Sequence, residues 1–134
     1  MKVTNGEIWD SQVALGQLVR EKLPVRVSYE LKVLTKKVND QWRLLNELRN
    51  QLIERHGEKD KKSGQMMVRD GTPAMEAFNK EWNELRAIEV EVDVKPVKLP
   101  EMVSSTCDKC HHNMDRPFEI PAAVLLALDK FVEV

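Results

Sequence analysis

Charge of either sign is not in excess in this 134-residue chain, where 21 Lys and Arg stand against 22 Asp and Glu for a formal net charge of −1. Without a general basic field, electrostatics give no reason to expect nucleic acid or an anionic membrane as a partner. Long apolar runs are also missing. No stretch approaches the roughly 18 residues of a membrane span, and the opening Met1-Lys2-Val3-Thr4-Asn5-Gly6 holds no apolar signal core. The expectation is a cytosolic protein with no membrane partner. Cysteine is scarce, with Cys107 and Cys110 alone. In a reducing compartment such a pair favours metal ligation or inert thiols over a disulfide. The chain has no Gly-rich phosphate loop, Ser nucleophile motif or His-Glu-x-x-His pattern. No catalytic residue is nominated, and a protein without enzymatic activity is expected.

What is present is a long stripe. Leu31, Leu34, Val38, Gln41, Leu45, Leu48 and Leu52 are spaced alternately three and four residues apart, which places them on one helix face with Gln41 as the single polar member. Pro24 suits a helix start, and His56 followed by Gly57 reads as a basic last turn with a left-handed C-cap. Val25, Val27, Tyr29, Leu31 and Val33 also alternate as a strand would, but the helical stripe runs on for three more turns and decides for a helix. A helix of that length spans about 50 Å at 1.5 Å per residue, more than the width of one small domain. Its seam therefore needs other helices or a second subunit to cover it.

The remaining elements arrange themselves around that helix. Thr4-Asn5-Gly6-Glu7 fits a capping box opening a helix whose apolar side is Ile8, Leu15, Leu18, Val19 and Leu23, with Gly16 as a candidate close crossing. Residues 58–64 have no apolar member and read as an exposed loop, with a short strand over 65–69 and a turn at Asp70-Gly71. Thr72 and Pro73 then start a helix carrying Met75, Phe78, Trp82 and Leu85, placed antiparallel to the long one. From Ile88 to Val94 the period becomes two, a half-buried strand, and Pro96 and Pro100 bracket an extended Val97 to Leu99. Met102 to Arg116 reads as irregular, residues 118–120 as a last strand, and Pro121 as the start of a helix through Leu128. The apolar tail Phe131-Val132-Glu133-Val134 should be docked.

Candidate chemistry is confined to a few clusters. Cys107 and Cys110, two residues apart and followed by His111 and His112, form half of a zinc site; an ordinary loop with two reduced thiols is the alternative. The same residues match the Cys-x-x-Cys-His pattern of haem attachment, which requires export. Glu89, Glu91 and Asp93 share a strand face that could gather a divalent cation or could simply be solvated. Lys59, Lys61, Lys62 and Arg69 could touch a phosphate backbone, although no aromatic residue is interleaved for stacking. Trp9, Trp42 and Trp82 fall on or beside the apolar stripes, as core or as an interface anchor.

Several segments together carry a resemblance: Lys2-Val3-Thr4-Asn5-Gly6-Glu7-Ile8, Lys22-Leu23-Pro24-Val25 with Ser28-Tyr29, Phe78-Asn79-Lys80-Glu81, Glu89-Val90-Glu91-Val92-Asp93, Val97-Lys98-Leu99-Pro100, and the ending Leu126 to Val134. With them the chain resembles a family of small tailed-bacteriophage and prophage proteins grouped as a domain of unknown function. The resemblance covers most of the chain except the cysteine segment, which reads as an insertion. It implies a phage protein made in the cytoplasm of a bacterial host, and transfers no catalytic residue.

These readings combine into an α+β fold expected over residues 1–134 as a single domain, a long antiparallel helical hairpin with a small antiparallel β-sheet. The sheet is expected from the 65–69, 88–94 and 118–120 pieces. A homo-oligomer is expected, its interface drawn from Leu31, Leu34, Val38, Leu45, Leu48, Leu52, Trp42 and Trp82. The expected function is binding of a host or phage protein, as a host-takeover or anti-defence factor or by sequestering a small ligand. A virion-assembly chaperone and a zinc-dependent nucleic-acid binder are the alternatives, and zinc at the cysteine cluster is the only cofactor in view.

Overall fold

A computed structural model of the chain describes residues 1–106 and 113–134. Its first helix, α1 (Asn5–Leu18), starts where the capping box predicts. Thr4 Oγ1 accepts from the Glu7 backbone N–H at 3.1 Å, and Glu7 Oε1 accepts from the Thr4 backbone N–H at 3.2 Å. Helix α1 ends at Leu18, six residues before Pro24, and Val19 beyond it is 46% exposed, while Leu23 packs back on the core. Gly16, the candidate crossing, faces open space instead. The close approach lies at Gly6, where an added Cβ would stand 3.3 Å from the Arg86 carbonyl oxygen.

Helix α2 (Val25–His56) is continuous over 32 residues, and the leucine stripe faces inward as the spacing predicts. Leu31, Leu34, Val38 and Leu45 are buried, whereas Leu48 and Leu52 are half-buried. Its end departs from expectation. Gly57 has φ −89° and ψ 170°, an extended backbone rather than a left-handed cap. Glycine is needed there for room, since a Cβ would collide with the Ile53 carbonyl oxygen of α2 and come within 2.8 Å of the Met67 carbonyl oxygen.

Helix α3 (Pro73–Ala87) opens on Thr72, whose hydroxyl accepts from the Met75 N–H, with proline in the first turn. It runs antiparallel to α2: His56 meets Glu81, while Lys37, earlier on α2, meets Asp93 beyond the end of α3. The helical hairpin is thus formed, but the most enclosed element is the short α1. Asn5, Gly6, Ile8, Ser11, Ala14, Leu15 and Leu18 are all buried along its 14 residues. Helices α2 and α3 pack on it from two sides, and α4 (Ala122–Ala127) from a third. The centre of the fold is therefore α1, a correction to the reading that set the long helix at the middle.

The strands do not merge into one sheet. Among the described residues they form four two-stranded units. Strand β1 (Lys2–Thr4) pairs antiparallel with β4 (Glu89–Glu91), Val3 opposite Val90. Strands β2 (Glu58–Lys59) and β3 (Met66–Met67) close a small hairpin across the predicted loop. Strand β5 (Val97–Lys98) pairs in parallel with β8 (Val132–Glu133), so the apolar tail is docked, with Phe131 buried. Strands β6 (Met102–Thr106) and β7 (Asn113–Pro117) make a hairpin where an irregular stretch was expected. Residues 118–120 are not a strand. Phe118 instead donates its N–H to the Glu101 carbonyl just past the hairpin.

Asn5 and Ser11 are the buried polar residues among those described, and Asn5 is bonded to two other helices. Asn5 donates its backbone N–H to the Ile88 carbonyl at 2.9 Å and its side-chain amide to the Leu85 carbonyl at 3.0 Å, and accepts from Gln41 Nε2 at 3.1 Å. This accounts for the single polar member of the leucine stripe. Removing one partner leaves the others buried and unsatisfied, so Asn5→Ala should lose about 2–4 kcal/mol in urea denaturation. Gln41→Ala should then cost less in that background than in the parent, with a coupling of about 1 kcal/mol; additivity to within about 0.3 kcal/mol would show that the two amides act separately.

Candidate interaction surface

Three helices each contribute one tryptophan to the same spot: Trp9 from α1, Trp42 from α2 and Trp82 from α3. Trp9 stacks on Trp42 with ring centroids 5.4 Å apart and planes 14° from parallel, and meets Trp82 edge-on at 5.0 Å and 81°. Both arrangements suit the ring quadrupole. All three rings are half-buried, so the cluster pins the helices together and also reaches the surface. Val13, one turn after Trp9 on α1, is 72% exposed and extends the apolar area.

Arg49 of α2 completes the group. Its guanidinium carbon lies 5.7 Å from the Trp82 ring, 5.8 Å from Trp9 and 5.8 Å from Phe78, which is buried beneath. Each such contact is worth about 0.5–1 kcal/mol at a solvent-accessible site. The guanidinium makes no ion pair among the described residues, so its hydrogen-bonding fork is held in place by rings with its donors unspent.

Beside this cluster, Glu81 joins α3 to the end of α2. His56 Nε2 stands 2.6 Å from Glu81 Oε2, and Arg55 Nη1 stands 3.5 Å from Oε1. An ionised carboxylate can only accept, so Nε2 carries the proton in this contact. The hydrogen bond from His56 holds the Glu81 carboxyl below the usual glutamate range, with help from the charges of His56 and Arg55. At the other end of the fold, burial pushes the Glu7 carboxyl up, but hydrogen bonds from Lys130 and Thr4 outweigh it and leave the group below its ordinary value. Asp10, on the same helix as Trp9, receives a two-pronged contact from Arg86 at 3.1 and 2.8 Å.

The residues nominated from sequence separate into five groups. Leu31, Leu34, Val38 and Leu45 are inside the chain's own core, packed with α1 residues such as Ile8 and Leu15, and present no surface to a second subunit. Trp42 and Trp82 come together, with Leu48 and Leu52 half-buried further along α2. Cys107, Cys110, His111 and His112, and with them the zinc and haem readings, lie outside the described residues. Glu89, Glu91 and Asp93 gather no metal-sized cluster among the described residues; Glu91 instead meets the Met1 amino group and Asp93 meets Lys37. Of the basic loop, Arg69 is engaged by Glu58 at 2.6 Å. Sequence reasoning missed Arg49, whose only signal was its place on the same α2 face as Trp42 and Leu45 at helical spacing. Among the described residues no helix is long and apolar enough to cross a membrane. No protein-family model matches the chain, and neither the curated proteins nor the solved structures hold a match to it.

Both Glu7 and Glu81 bind a proton less readily folded than unfolded, so stability is complete above the ordinary glutamate range and is lost as pH falls through their lowered values. Thermal unfolding followed by circular dichroism from about pH 6 to pH 3 should show a falling midpoint. Glu7→Gln and Glu81→Gln should each make that fall shallower, and an unchanged slope would deny the group its part.

Proposed function

We propose that this chain is a non-enzymatic binding protein, a phage accessory factor of the host-takeover or anti-defence type that acts by occupying a host protein. The observation that supports the reading is the Arg49 guanidinium lying over Trp9 and Trp82 at a half-buried surface. Tryptophan and arginine are the residue types most enriched where interfaces concentrate their energy, and rigid rings around an unpaired fork leave little entropy to lose on docking. The complementary partner surface carries a carboxylate for Arg49, flanked by apolar side chains for Val13 and the indole edges. The resemblance of the chain termini and strand segments to phage proteins supplies the biological setting.

The test is capture from a bacterial host lysate with tagged protein, without other phage products, beside Arg49→Glu and Trp82→Ala variants whose near-UV circular dichroism confirms folding. A host protein retained in stoichiometric amount by the parent should be held roughly tenfold less well, or worse, by Arg49→Glu. Equal retention by all three proteins would remove this surface from the reading. Retention of virion subunits alone, from infected cells, would replace host takeover by a role in virion assembly.

A further inference from the structure

A second surface, away from the tryptophans, lies where the chain turns from α1 into α2. A groove of about 420 Å³ runs there along the first half of α2, a volume in the range that holds small organic ligands. Val19, Leu23 and Leu31 give it an apolar wall. Lys32 and Lys36, one helical turn apart on α2, both line it and make no ion pair among the described residues. Glu21 is the only acidic residue in the lining.

Two further lining residues set this groove apart from an ordinary surface crease. Thr35 Oγ1 and Asn39 Oδ1, again one turn apart, are covered from solvent and have no hydrogen-bond partner among the described residues. A covered polar atom without a partner is destabilising, and such atoms are few in folded proteins. Both oxygens belong to residues that line the groove.

We propose that this groove binds an amphipathic organic anion: a compact aryl or acyl body against Val19, Leu23 and Leu31, an acidic head between Lys32 and Lys36, and one N–H or O–H donor serving Thr35 or Asn39, whose side chains turn toward it on binding. The lysines select the charge and the wall selects the body. The two oxygens select a ligand with a donor over an isosteric one without. This site is independent of the Arg49 surface, and either can fail without the other.

The probe is 8-anilinonaphthalene-1-sulfonate, which combines an aromatic body, a sulfonate and one N–H, titrated into native protein by calorimetry and fluorescence. One molecule should bind per chain, displaced by 3-hydroxydecanoate, less by decanoate, which lacks the donor, and far less by decanol, which lacks the charge. The Lys32→Gln/Lys36→Gln double variant should weaken binding about tenfold, whereas Lys98→Gln, outside the groove, should not. Thr35→Val/Asn39→Leu should raise the unfolding midpoint while lowering affinity, since it removes the unpartnered atoms together with the ligand's acceptors. The proposal is overturned by absence of saturable binding, by several dye molecules per chain, by an affinity indifferent to the lysine pair, or by a fall in stability of the Thr35→Val/Asn39→Leu variant.

Discussion

A buried amide governs how the helices of this protein sit against one another. Asn5, the first residue of α1, is bonded at once to Gln41 on α2 and to the carbonyls of Leu85 and Ile88 at the end of α3. Apolar contacts alone tolerate sliding, because one leucine packs on another in several registers. Directed hydrogen bonds in a dry setting do not, since a shift of one turn strands each polar group without water. The capping box one residue earlier fixes where α1 begins, and Gly6 one residue later lets the backbone of α3 come near. The meeting of Trp9, Trp42 and Trp82 follows from that alignment, because each ring is carried by one of the three helices that Asn5 locks.

Much of this was legible from local signals. The Thr4 and Thr72 caps and the unbroken α2 stripe are each set by residues a few positions apart, and each formed; the strand expected over 88–94 forms only over Glu89–Glu91. What could not be read depends on partners distant in sequence. Periodicity names a face as apolar but does not say what lies against it, so the stripe of α2 was open to a second subunit until α1 was seen to fill it. Strand pairing is similarly non-local: Val97 and Lys98 find Val132 and Glu133, a parallel match that no turn signal announces. Gly57 shows part of the same limit, its room taken by the Ile53 carbonyl four residues back and by Met67 across the hairpin, and not set by its own dihedral preference.

The candidate surface was half visible. Tryptophans beside an apolar stripe are recognisable as anchors, and Trp42 and Trp82 do meet. Arg49 was not recognised, since a single arginine on a helix with many charges carries no mark until three rings are found around it. The groove beside the α1–α2 turn was invisible for the same reason. Its lysines look like ordinary solvated positions, and the partnerless state of Thr35 and Asn39 exists only in three dimensions.

The network at Asn5 also bears on how the chain reaches this state. Its bond to Leu85 spans 80 residues, and the pairing of β1 with β4 is as remote. Of the helices that enclose α1, α2 follows it at once, but α3 and α4 come much later in the chain. On a ribosome α1 therefore keeps part of its apolar side uncovered while some eighty residues are added, a condition that favours slow closure and an exposure that chaperones recognise.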